Sequence, residues 1–250
     1  QTIRPREWIP ILFGPAAGIV LLVAGLIALK RRRLAITLAT AVFISSIVVG
    51  VLGAYFHLLR GILPSAPAGQ QITLLLLVWA PPVLAPFAFA GVGVLGLSAA
   101  WQETEPGSGV LHIGQNRRLR LPYSKTSAYF FLVSLGILVS VVSSAWDHVR
   151  TGFENPWLWL PLVVGVFATI VAFGAGTGKL SRADVWTYVA SMVLLIIVGL
   201  VGVYFHVRAD LTTMAVIVPE RFLRGAPFLS PLLFTNMGLV GLAVLMPPGE

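Results

Sequence analysis

The sequence predicts an all-α integral membrane protein with seven transmembrane helices built from tandem helical hairpins. Three observations carry that reading. The chain is 57% hydrophobic and only 10% charged, where an average soluble domain carries about 25% charged residues. Its mean hydropathy is +0.91. Apolar runs of roughly 20 residues recur along it, each long enough to cross a ~30 Å hydrocarbon core as a helix. A membrane barrel would instead show alternating strands of ~10 residues, and no such alternation is present. Finally, a short aromatic–histidine–arginine motif closes three of the apolar runs.

The chain, 1–250, reads as one polytopic membrane domain with spans at about 9–29, 34–59, 72–100, 126–146, 157–176, 185–207 and 226–246. Lys30-Arg31-Arg32-Arg33 stops the first span. The longest polar stretch, Trp101 to Lys125, reads as a loop carrying Arg117-Arg118-Leu119-Arg120 and a solvated His112. Such a basic patch fits topology determination, and beside a bilayer it attracts anionic lipid. Ser181 and Asp184 have capping-box spacing at the start of the sixth span.

Cation placement orients the spans. The loops after spans one, three and five hold ten lysines and arginines, including every lysine, and the opposite side holds seven arginines. Cytoplasmic loops are the ones enriched in cations. The net charge of +8 is thereby explained without a nucleic-acid partner. The C-terminus falls in the cytoplasm and the histidine motifs at the outer face, in what reads as a bacterial inner membrane. Zero cysteines exclude disulfides, iron–sulfur ligation and cysteine nucleophiles.

The motif copies are Tyr55-Phe56-His57-Leu58-Leu59-Arg60, Trp146-Asp147-His148-Val149-Arg150 and Tyr204-Phe205-His206-Val207-Arg208. Four positions before each histidine stands a small residue: Gly53, Ser144 and Gly202. The following span opens on paired prolines: Pro82 and Pro86, Pro156 and Pro161, Pro227 and Pro231. A first-turn proline suits a helix start, and a second one turn deeper is expected to bend the span. Hairpin repeats are thus expected at about 34–100, 126–176 and 185–246. The first span opens the same way, with Pro10 and Pro15, so an eighth, earlier helix is expected to pair with it.

Histidines and arginines at one membrane depth suit several ligands. In b-type haem, His57, His148 and His206 would ligate iron while Arg60, Arg150 and Arg208 pair with propionates. The small residue at i−4 would then leave room for a flat macrocycle. A chlorin would use one histidine per magnesium, and a quinone would take a hydrogen bond to its carbonyl. The same residues also serve as interfacial anchors, and small residues at i−4 equally mark close helix packing. A metal shared by Asp147 and His148 is disfavoured, because adjacent helical residues point about 100° apart. Asn236, mid-span, calls for an interhelical hydrogen bond. No charge lies mid-span and no hydrolase or phosphate-loop motif is present.

The sequence therefore reads as a membrane anchor or scaffold subunit of a larger complex, without catalytic activity of its own. A redox or photosynthetic electron-transfer complex suits it, with the motifs facing a haem, chlorin, quinone or partner subunit. The alternative is a transporter or channel for a neutral or apolar solute. Purification separates these. Soret or chlorin bands lost on His57→Ala or His206→Ala are the tetrapyrrole outcome. A colourless protein that co-purifies stoichiometrically with other subunits leaves the scaffold, and a monomer that moves solute in liposomes is the transporter.

Overall fold

A computed structural model of the chain describes residues 8–79, 83–113, 117–211 and 229–246. It contains α1 (Trp8–Ile27), α2 (Arg32–Arg60), α3 (Leu74–Trp79), α4 (Phe87–Ala100), β1 (Val110–Ile113), β2 (Arg117–Arg120), α5 (Lys125–Val149), α6 (Leu160–Thr177), α7 (Arg182–Leu211) and α8 (Leu232–Ala243). Among the described residues, five helical segments are long and apolar enough to cross a membrane: Ile9–Ile27, Arg32–Arg60, Lys125–Val149, Pro156–Thr177 and Arg182–Leu211. Helices α4 and α8 are apolar but shorter. At 1.5 Å per residue they reach only about 21 and 18 Å, short of a ~30 Å core. The outward faces are apolar, with Leu22, Leu26, Val163 and Ile170 all more than 60% exposed. Lipid, not water, is the solvent that suits such a surface, and the chain belongs in a membrane. The helices group into two compact units, Gln1–Lys125 and Thr126–Glu250.

In the first unit α2 packs against both α1 and α4. No hydrophobic force drives helices together within lipid, so close approach depends on small residues. A Cβ on Gly50 would stand 2.5 Å from the Ala90 backbone nitrogen, and one on Gly93 2.5 Å from the Phe43 carbonyl oxygen. Gly53 lies against the ring of Pro86, and Gly96 against that of Phe43. Phe13 of α1 meets Phe89 of α4 edge-on at 6.1 Å.

Expected span 72–100 is not one bent helix. Pro86 is the N-cap of α4, following a turn. A proline lacks the N–H that would continue the helix and pushes its predecessor out of the α region. Pro231 caps α8 in the same way, at φ −62° and ψ −24° against −62° and −27° for Pro86. The partner prolines Pro82 and Pro227, and Arg4, Arg6, Arg221 and Arg224, lie outside the described residues.

The expected polar loop after α4 contains an antiparallel β-hairpin, pairing Leu111 with Leu119 and His112 with Arg118. The Glu103 carboxylate organises it by accepting the backbone N–H groups of Gly109 (2.8 Å), Lys125 (2.9 Å) and Gly107 (3.1 Å). Partial burial alone would raise its pKa. The three N–H donors and the Lys125 charge outweigh that and leave it below the ordinary value. Arg32 donates to the Gln102 side chain at 2.7 Å, and the Trp101 indole donates to Thr40 at 3.3 Å, tying the hairpin to α2. His112 and all of β2 are exposed.

In the second unit the short α8 contacts α5, α6 and α7. Gly199 packs on Thr235 and the Pro231 carbonyl, Gly202 on the Pro231 ring, Gly238 on Met192 and Ile196, Gly136 on Met237, and Gly165 on Val141 and Phe234. Phe130, Ile137, Ala168, Tyr188, Leu195 and Phe234 lie in its buried core. The last carbonyls of any helix lack internal donors. Here two tyrosines supply them, with Tyr188 donating to Gly241 O at 2.9 Å and Tyr129 to Val240 O at 3.1 Å. Buried serines return their hydroxyls to backbone carbonyls, as Ser134 does to Thr169 O across to α6 at 2.9 Å. The capping box at Ser181 and Asp184 forms reciprocally, at 2.8 and 3.2 Å. Asn236, expected to make an interhelical hydrogen bond, is exposed on α8.

Gly93→Val forces backbone against side chain at the α2–α4 contact and costs about 1–3 kcal/mol, read as a lowered thermal midpoint in detergent. Gly25→Ala, where a Cβ meets nothing within 4 Å, leaves that midpoint unchanged or raised. Because Glu103 is depressed in the folded loop, its stabilisation is complete above the unfolded carboxylate pKa of about 4.3 and fades as pH falls through the lower folded value. Amide exchange across 103–125 should accelerate in that acidic window, and Glu103→Gln should abolish the dependence.

Candidate functional site: cavities at the histidine ends of the long helices

Helices α2, α5 and α7 run 29, 25 and 30 residues. At 1.5 Å per residue each exceeds a ~30 Å core, and the motif lies in the last turns of each. Two cavities open there, one within each unit.

The second-unit cavity, about 460 Å³, is walled by α5, α6, α7 and α8. Its polar lining includes Asp147, His148, Thr151, Asn155 and His206 with three serines, and Leu160, Val198, Val201, Phe205, Leu233 and Phe234 are among its apolar wall. The imidazoles of His148 and His206 face one another with centroids 6.2 Å apart and planes at 78°. His148 is held from the loop side. Thr151 donates its hydroxyl to His148 O at 2.8 Å, and the Phe153 ring meets the imidazole edge-on at 6.2 Å. Phe153 occupies positive φ, at 55°, a strained setting for a bulky residue. It is offset by a tilted stack on Trp159 at 4.7 Å. Asn155 caps the following turn by accepting the Trp157 N–H at 3.1 Å.

The first-unit cavity, about 400 Å³, is lined by Ile9, Pro10, Val49, Leu52, Gly53, Phe56, His57, Arg60, Ala85, Pro86 and Phe89. All eleven have counterparts lining the other cavity, displaced by 151 positions for α1, 149 for α2 and 145 for residues 85–89. Thus His57 answers to His206, Gly53 to Gly202, Pro86 to Pro231 and Phe89 to Phe234. Arg60 answers to Ala209, and Ala85 to Ser230.

His148 and His206 therefore share a site, while His57 has its own cavity with Arg60. Arg150 and Arg208 are exposed and line neither cavity. The reason is helical geometry. Arg60 follows its histidine by three residues and shares its face, whereas Arg150 and Arg208 follow by two and point elsewhere. Thr151 and Ala209, at i+3, take the cavity-lining place. Arg150 does lie within electrostatic reach of Asp147.

Two of the three small residues expected to leave room for a flat macrocycle are in packing contact with a proline. The space beside Gly53 and Gly202 is taken by Pro86 and Pro231, whose Cβ atoms would stand 2.8 and 2.7 Å from an added Cβ. Among the described residues no three histidine or carboxylate groups are arranged to hold a metal ion. The cavity can instead hydrogen-bond a small polar head and cover an apolar body. Sequence reasoning missed Asp210, which is buried at 4% exposure one turn beyond His206. Its i+4 spacing was the available signal.

No family model, curated protein or solved structure matches the chain, so its residues carry the functional argument unaided.

Proposed function

We propose that this chain is a scaffold subunit of a larger membrane assembly concerned with electron transfer, and that its second unit holds a quinone-type amphiphile. The observation that carries the ligand is the His148–His206 pair, 6.2 Å apart, set among polar groups in a cavity that is otherwise apolar. Binding sites of this kind are mostly apolar, with few convergent polar groups. Each imidazole can donate to a carbonyl oxygen of a quinone head, while Phe205, Val201 and Leu233 cover its ring and tail.

The architecture proposed is seven spans in tandem hairpins. It is supported by the recurrence of the Gly50–Ala90, Gly53–Pro86 and Gly93–Ile47 contacts as Gly199–Thr235, Gly202–Pro231 and Gly238–Ile196. The cation distribution supports a bacterial inner membrane with the histidine ends outward. Subunit status is supported by Asn236, which presents its amide on the exposed face of α8. In hydrocarbon a polar amide is costly without a partner, and a neighbouring subunit's helix can supply one.

Titration of the purified protein with decylubiquinone, followed by tryptophan quenching, tests the ligand. His148→Ala and His206→Ala should each weaken binding roughly three- to tenfold, the worth of one hydrogen bond, and His57→Ala should leave it unchanged. Absence of binding, or affinity indifferent to both second-unit histidines, removes the quinone reading.

A further inference from the structure

The first-unit cavity has the same helical positions as its counterpart but different electrostatics. In the second unit the polar lining includes the Asp147 carboxylate, and the position one turn from the histidine is Ala209. In the first unit no acidic side chain among the described residues lines the cavity, and the corresponding position is Arg60, on the same face as His57. Apolar groups, Val49, Leu52, Phe56 and Phe89 among them, make up most of the remaining wall. Arginine keeps its charge at any physiological pH and presents a planar fork of donors that matches a carboxylate or phosphate.

We infer that the first-unit cavity binds an amphiphile with an anionic head, its acyl chain along the apolar wall and its carboxylate or phosphate on Arg60. The inference rests on this cavity alone and does not depend on what occupies the second unit. Charge separates the two sites. An anion entering the second-unit cavity meets Asp147, and among the described residues no lysine or arginine lines its wall, so the anionic amphiphile is selective for the first unit.

The test uses the purified full chain and a photoreactive diazirine palmitate, with its uncharged methyl ester as control. Palmitate should label peptides bearing the His57–Arg60 segment, the ester should label them much less, and peptides bearing His148 and His206 should stay unlabelled. Arg60→Gln should weaken palmitate binding about tenfold, as for loss of a charge-assisted hydrogen bond. Arg60→Lys should restore part of it. Arg60 is exposed at the helix end, and thermal unfolding of each variant checks that it folds. A second arm identifies the source of the head group. Native mass spectrometry after reconstitution with phosphatidylglycerol or phosphatidylcholine shows Arg60-dependent retention of the former if a lipid phosphate is bound. If palmitate alone is held, the ligand is a free carboxylate. Equal labelling by acid and ester, labelling indifferent to Arg60→Gln, or labelling in the second-unit cavity overturns the proposal.

Discussion

The structure depends on how closely two helix backbones can approach within lipid. With no hydrophobic gain from pairing in that solvent, dispersion and backbone contact decide which faces meet. Gly50 and Gly53 admit Ala90 and Pro86, and Gly199 and Gly202 admit Thr235 and Pro231. At the α5–α6 contact the small residue changes sides: Gly165 of α6 receives Val141 of α5. One partner must be small, and either helix can provide it. The same contacts decide what the glycines are for. At Gly53 and Gly202 they seat a proline ring.

Much of the fold was legible because length and hydropathy are decisive when the solvent is hydrocarbon. The five long helices stand close to the runs read from the chain, and the capping box at Ser181 forms as its spacing implied. The short helices were not legible. A continuous apolar run such as 72–100 contains nothing that announces a break except Pro81, Pro82 and Pro86, and prolines near a helix start are compatible with either a bend or a fresh beginning. The tertiary contact of Pro86 with Gly53 settles which. The β-hairpin at 110–120 escaped for another reason. Arg117, Arg118 and Arg120 obscure the strand alternation, and the anchor, Glu103, acts through backbone N–H groups that have no sequence signature.

The candidate site was half legible. Recurrence of the motif located the histidines, and they lie near the C-terminal ends of the long helices. What the motif concealed was a difference of one residue. Histidine to arginine is three positions in the first copy and two in the others, which on a helix is the difference between sharing a face and leaving it. Only Arg60 lines a cavity for that reason. Convergence of His148 with His206 is a tertiary fact that no periodicity within α5 or α7 encodes. The strained turn at Phe153 is likewise invisible in sequence, since nothing local marks a phenylalanine for positive φ.

Why cavities lie at these ends follows from the mismatch in helix length. Helices α2 and α7 continue past the glycines for another two turns, through His57 and His206 to Arg60 and Leu211. Their short partners begin at Pro86 and Pro231, level with Gly53 and Gly202. At that level the proline ring becomes part of the cavity wall. A histidine one turn above the glycine thereby lines the same cavity as the proline. The glycine–proline contact and the histidine belong to one device, the first fixing where packing ends and the second supplying the polar group where it has ended. Substitutions at i+3 then set the charge of each cavity without disturbing the contact beneath, which is how two sites of one shape can differ in what they hold.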